Sequence, residues 1–196
     1  LQKQRSKPQQ RRSEEMRQLL LDTTVQLLGR GSGALSTRAI AAAAHVSVGT
    51  VYRYFNDREE ILEILLQATI RDIYNDLTAA VGASLDLDLE EATRRVVGSL
   101  TSSFERNAAV LRAFMDRGTE VDPARGVEDT LFALARVIPA RHRPDLTPEQ
   151  LDDLVFVTMG LTASGCLRIA LQRPPHADRE AMIETTARML AAGLRG

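Results

Sequence analysis

The sequence predicts an all-α protein, with a small N-terminal unit of three helices followed by a larger helical body. Three observations predict this. Apolar residues recur at i, i+3 and i+4 through most of the 196 residues, and no run shows the period-two alternation of a half-buried strand. Helix-start signatures recur: Asp122 before Pro123, Thr147 before Pro148 with Gln150 three positions on, and Asn56 followed by Glu59. The breaks between periodic segments are short and rich in Gly, Pro and Asp, and there is no internal repeat.

Composition narrows the class. With 44% hydrophobic and 26% charged residues the chain can build a core and keep an ordinary polar surface. Trp is absent and Cys occurs once, which excludes a disulfide within the chain and favours a reducing, cytoplasmic setting. The net charge of −1 hides an asymmetry. The first sixty residues hold ten Lys/Arg against six Asp/Glu, and the remainder hold 15 against 20. Any polyanion-binding end therefore belongs to the first third.

Taken in order, residues 1–12 are basic, Gln-rich and interrupted by Pro8, which predicts a flexible arm and no signal peptide. Such an arm either lies on DNA or is a plain terminus. Residues 13–28 form an amphipathic helix with Ser13 as N-cap and Met16, Leu19, Leu20, Thr23 and Leu27 on one stripe. The glycine-rich run 29–33 follows a helix rather than a strand, so it reads as a C-cap and loop, not a phosphate cradle. A short Ala-rich helix spans 36–44 with Ser36 as N-cap, and a turn comes at His45-Val46. Ser47 caps a second short helix, on which Val51 and Phe55 face inward with Ile40 and Val46. Asn56 and Glu59 then start a long connecting helix over 57–81, ended by Gly82. Further helices are expected at about 88–106, 108–120, 123–138, 147–172 and 178–194. The apolar run 154–171 is about a bilayer length, but it carries Arg168, Thr158, Thr162 and Ser164, lacks an aromatic belt and follows Glu149, Asp152 and Asp153. It reads as a bundle or subunit-interface helix, not a membrane span.

The stretch 36–55 carries a specific pattern: Thr37, Ile40-Ala41, Ala44, Val46-Ser47, Gly49-Thr50, Val51-Tyr52 and Tyr54-Phe55, followed by 56–62 opening the next helix. It resembles the DNA-binding domain of the TetR (tetracycline-repressor-like) family over about residues 13–65. The resemblance implies a helix-turn-helix domain at 13–56 and a ligand-binding and dimerisation domain at 57–196. Family members usually have Gly where this chain has His45, so His45 must take up the turn conformation despite its Cβ. They often have Lys where it has Arg58.

A helix-turn-helix lays its second helix in the major groove of double-stranded DNA. The resemblance implies phosphate contacts from Thr37, Thr50, Tyr52, Tyr54 and Arg58, with Ser47 at the helix start. Gly49 costs helix stability, about 1 kcal/mol in an interior, unless the first turn tolerates it. It makes sense where a side chain would hold the backbone off the DNA. Arg38, Val48 and Arg53 either reach base edges or, for the arginines, touch only phosphate or solvent. Tyr52 and Tyr54 have a competing reading as packing residues.

One such helix reads too few bases, and the resemblance implies a homodimer on a pseudo-palindromic operator. The expected dimer interface is Leu154, Val157, Leu161, Ser164, Gly165, Arg168, Ile183, Ala187 and Leu190. The resemblance also implies a small-molecule effector site. The large side chains of the central helices, Phe104, Leu111, Phe114, Met115, Phe132, Phe156 and Met159, are its candidate lining, with Thr101, Glu105 and Arg112 as polar anchors; the competing reading is plain core. No enzyme is expected. His45, His142 and His176 are scattered, Cys166 reads as an inert buried thiol, and no nucleophile elbow or metal-ligand spacing occurs. No cofactor or metal is expected.

Overall fold

The computed structural model describes residues 7–31, 35–116 and 128–195, all in helices and short connections. In order these are α1 (Lys7–Gly29), α2 (Thr37–Ala43), α3 (Val48–Tyr54), α4 (Arg58–Gly82), α5 (Leu89–Arg106), α6 (Ala108–Met115), α7 (Glu128–Ala135), α8 (Val137–His142), α9 (Pro148–Gln172) and α10 (Arg179–Arg195). The expected all-α class holds.

Several starts follow the expected capping chemistry. Ser36 accepts from the Ala39 amide at 3.1 Å and Ser47 from the Thr50 amide at 3.0 Å. Asp88 caps α5 and Asp178 caps α10. Thr147 and Gln150 form the reciprocal box that starts α9, with Pro148 behind them.

Other starts differ. α1 begins at Lys7, six residues before the expected cap, so Ser13 lies inside the helix. Pro8 does not prevent this, because the first turn has no intrahelical partner for its amide anyway. Residues 1–6 of the expected arm lie outside the described residues. The start of α4 is shifted by one position. Asp57, not Asn56, accepts from the Glu60 amide at 2.8 Å, while the Glu60 carboxylate takes the Asn56 amide at 2.6 Å. Pro139 does not end a helix: it sits in the first turn of α8, which runs on to His142. The Asp122-Pro123 start lies outside the described residues.

The chain divides into two compact units, Leu1–Ala68 with Ala109–Gly118, and Thr69–Ala108 with Thr119–Gly196. The first packs Leu20, Leu21, Ile40, Ala41, Ala44, Val51, Phe55, Ile61, Leu65 and Val110 into one core. The buried face of α1 includes Thr23 and Thr24, while Leu19 is exposed, so its stripe is turned one position from the expected one. In the second unit α5, α9 and α10 pack on one another. Val97, Val155, Cys166, Ile169, Ile183, Ala187 and Leu190 are buried there. At Gly165 the helices approach closely, and a Cβ would stand 3.3 Å from the Thr186 methyl.

Candidate nucleic-acid interface

The turn between α2 and α3 sets the site. His45 has φ +56°, the left-handed region that normally selects glycine. Its amide donates to the Ala42 carbonyl at 3.2 Å, and the Val46 amide donates to the Ala41 carbonyl at 2.9 Å. These two bonds form a Schellman motif, which satisfies the last carbonyls of α2 and turns the chain sharply. Val46 then packs against the core and Ser47 starts α3. The two short helices are thus joined by four residues, 44–47.

On α3, Val51 is fully buried, and Phe55, 2% exposed, closes the helix with its amide on the Val51 carbonyl at 3.0 Å. The opposite side is open. Tyr52 is 56% exposed, and Gly49 and Arg53 are exposed. A Cβ at Gly49 would meet only the Ser47 hydroxyl at 3.8 Å, so nothing inside the protein requires glycine there. The Thr37 hydroxyl of α2 donates to the Tyr52 phenol at 3.4 Å, and the Ser47 and Thr50 hydroxyls bond each other at 2.8 Å. Arg38 is exposed without an acidic partner among the described residues. The guanidinium of Arg53 lies over the Tyr54 ring, 5.2 Å from its centroid.

Three residues of the expected set are placed differently from the rest. Val48 and Tyr54 are half-buried and pack against the core. Arg58 is engaged within the unit: it donates to the Leu35 carbonyl at 3.0 Å and pairs with Glu59 at 2.5 Å. That ties the start of α4 to the segment before α2. One residue escaped the sequence reading. Arg17 of α1 lies over the Phe55 ring at 5.4 Å. The two are 38 positions apart, and no spacing rule links them.

The family model of bacterial regulatory proteins, tetR family, matches residues 20–65. The model of the tetracyclin repressor-like C-terminal domain matches residues 88–194, more than half of the chain. The chain belongs to the TetR family. It is 32% identical over 132 residues to the HTH-type transcriptional repressor KstR of Mycobacterium tuberculosis, an alignment covering 62% of this chain and 58% of that protein. The match therefore spans less than two thirds of that curated relative. A crystal structure of a tetR-family transcriptional regulator from Streptomyces coelicolor is similar with a TM-score of 0.69 and 25% identity, covering 92% of this chain and 80% of that one. Thermus thermophilus FadR, a TetR-family repressor crystallised with lauroyl-CoA, shares the fold with a TM-score of 0.52 and 21% identity, over 90% of this chain and 94% of that one.

In this TetR-family chain the expected effector residues fall in both units. Leu111, Arg112, Phe114 and Met115 belong to the first, where Phe114 packs on the core and Met115 is half exposed. Thr101, Phe104, Glu105, Phe132, Phe156 and Met159 belong to the second. Phe156 is 70% exposed, so it is a surface side chain and not a cavity lining. Glu105 is held by Arg179 at 2.9 Å and Arg173 at 3.1 Å, and Arg179 also reaches the Ser102 hydroxyl at 2.7 Å. Burial pushes the Glu105 carboxyl up, but the two guanidinium groups outweigh it and hold it below the usual carboxylate range. Thr101 is buried beside the Cys166 thiol, and its hydroxyl has no nitrogen or oxygen partner among the described residues. Burial pushes the neighbouring Cys166 thiol up to about 11, against a smaller opposing effect of the Thr101 hydroxyl, so it stays an unreactive thiol. A cleft of about 280 Å³ in the second unit is lined by Ile70, Arg71, Tyr74, Asn75 and Thr130. None of the expected effector residues lines it.

The expected dimer face also divides. Ile183, Ala187 and Leu190 are buried inside the protomer, and Gly165 faces Thr186 of α10. Their apolar surface is already covered, since α5, α9 and α10 pack on one another. Leu154 is likewise packed on the core of its own unit. Val157, Leu161, Ser164 and Arg168 are exposed, and Phe156 and Met189 join them as exposed apolar side chains. α9 is long and apolar enough to cross a membrane by length and composition alone, but it lies inside the region that matches the family's C-terminal domain. Among the described residues no group of three metal-ligating side chains occurs.

Proposed function

We propose that this chain is a cytoplasmic transcriptional repressor that binds a pseudo-palindromic operator as a homodimer, is released by a small, largely apolar effector, and catalyses no reaction. The observation that carries the reading is the outer side of the α2–α3 pair. There the Thr37 hydroxyl and the Tyr52 phenol stand 3.4 Å apart beside an open Gly49, with Arg38 and Arg53 free of acidic partners among the described residues. Short hydroxyls on rigid helices donate to phosphates at little entropic cost, and a helix without a side chain at Gly49 approaches the backbone closely. Thr37, Ser47, Gly49, Thr50 and Tyr52 serve the backbone, and Arg38 and Arg53 reach base edges. Phe156, Val157, Leu161 and Met189 are exposed apolar side chains on the two C-terminal helices, which is expected of a surface that a second copy covers. Thr101, whose buried hydroxyl has no nitrogen or oxygen partner among the described residues, is the best polar anchor for an effector in the second unit.

The test is a titration of the protein against the palindromic duplex near its own coding region and against random duplex. A repressor binds the palindrome at least about a thousandfold more tightly. Equal affinities would make it a sequence-tolerant DNA-binding protein instead. With about four phosphates neutralised per subunit, log K against log salt should fall with a slope of about −7.

A further inference from the structure

Among the arginines of the first unit whose side chains are described, Arg11 is taken by Glu15 at 2.9 Å and Arg58 by Glu59 and the Leu35 carbonyl. Arg17 is held differently. It sits on α1 one turn before Leu20 and Leu21, the leucines that this helix buries. Its guanidinium lies over the Phe55 ring, and it has no acidic partner among the described residues. Phe55 is immobilised by burial and by its amide bond to Val51, so the stack fixes Arg17 at the C-terminal end of α3. That end carries partial negative charge from its last carbonyls, which favours a cation. A guanidinium with one flat face on a ring keeps its N–H donors around its edge, free for another acceptor. Arg53, stacked on Tyr54, stands at the same helix end in the same manner.

We propose that Arg17 is a DNA-backbone contact, held on the Phe55 ring at the end of the recognition helix so that its guanidinium edge donates to a phosphate. The proposal rests on the DNA-binding reading above and adds to it a residue outside the helix-turn-helix itself. A phosphate contact is independent of sequence, so the test needs no operator. The affinity of wild type, R17A, R17Q, R17K and a distant control, R95A, is measured on a random duplex across a series of KCl concentrations, with helicity checked by circular dichroism. One lost phosphate lowers the magnitude of the salt slope by about 0.9 per protomer and affinity at 0.1 M salt by about eightfold per protomer. R17A and R17Q should show both losses, R17K should restore the slope, and R95A should leave it unchanged. A slope in R17Q equal to that of wild type overturns the proposal, whatever happens to the affinity, because a packing role alone does not change the number of counterions released. If R17A loses its fold, R17Q and R17K still decide. If wild type binds no duplex at all, the DNA-binding reading itself fails and Arg17 with it; wild-type binding with an unchanged R17Q slope removes Arg17 alone.

Discussion

His45 is the residue at which local preference and fold disagree most openly. Its φ of +56° would suit glycine, yet the Schellman bonds of Ala42 and Ala41 require that conformation. The motif is over-determined by the buried Ile40 on one side and the partly buried Val46, packed against the same core, on the other, so the strain persists. Replacing His45 by Gly should raise stability by about 1 kcal/mol, read as a higher urea midpoint, with DNA affinity unchanged. A lower midpoint would show that the imidazole makes a compensating contact. Tyr52 lies at the other extreme, exposed and hydrogen-bonded to Thr37. Tyr52→Ala should weaken duplex binding several-fold while leaving stability and oligomeric state intact; unchanged binding would remove it from the backbone-contacting set.

The short helices depend on their caps. α2 and α3 have seven residues each, too few to persist without tertiary packing and capping. Ser47→Ala removes both the Thr50 amide bond and the Thr50 hydroxyl bond. The expected cost is about 1 kcal/mol, seen as faster amide exchange within α3. In the second unit the connection between α9 and α10 is pinned to α5 by Glu105 through Arg173 and Arg179. Because the folded carboxyl titrates below its unfolded value, its contribution is full above the ordinary carboxylate range near pH 4 and is lost as pH falls through the folded value. Glu105→Gln should therefore destabilise the protein at neutral pH and flatten the acid limb of its stability profile. A profile parallel to wild type would mean that the ion pairs contribute nothing.

For the molecule as a whole, the proposed binding to a pseudo-palindromic operator requires two copies of the α2–α3 pair at a fixed spacing. The exposed Phe156, Val157, Leu161 and Met189 are the surface available for that purpose. Leu161→Glu places a charge where Leu161 is 60% exposed in the protomer, so the fold should tolerate it. The variant should sediment as a monomer and lose operator affinity by orders of magnitude, because two half-sites are no longer bound together. A folded dimer in this variant would move the interface elsewhere.

The sequence by itself determined most of the helices and of their caps and the inward positions of α3, but it read α7 and α8 as one helix ending at 138. The caps and inward positions are set by contacts within one turn: a hydroxyl and an amide three residues on, or Val51 and Phe55 four residues apart. It also marked the strained turn, since a histidine stands there where members of the family it resembles usually have glycine. Tertiary structure decided what depends on partners far along the chain. Arg17 meets Phe55 across 38 positions, Arg58 is drawn to the Leu35 carbonyl, and Val48 and Tyr54 turn towards the core. On α9 and α10 periodicity showed apolar residues on several sides but not which side packs within the protomer. Packing on α5 buries Ile183, Ala187 and Leu190 and leaves Phe156, Val157, Leu161 and Met189 outside. A helix that is apolar nearly all round carries no sequence signal for that choice, because the hydrophobic effect is non-directional and only the neighbours present settle which face is covered.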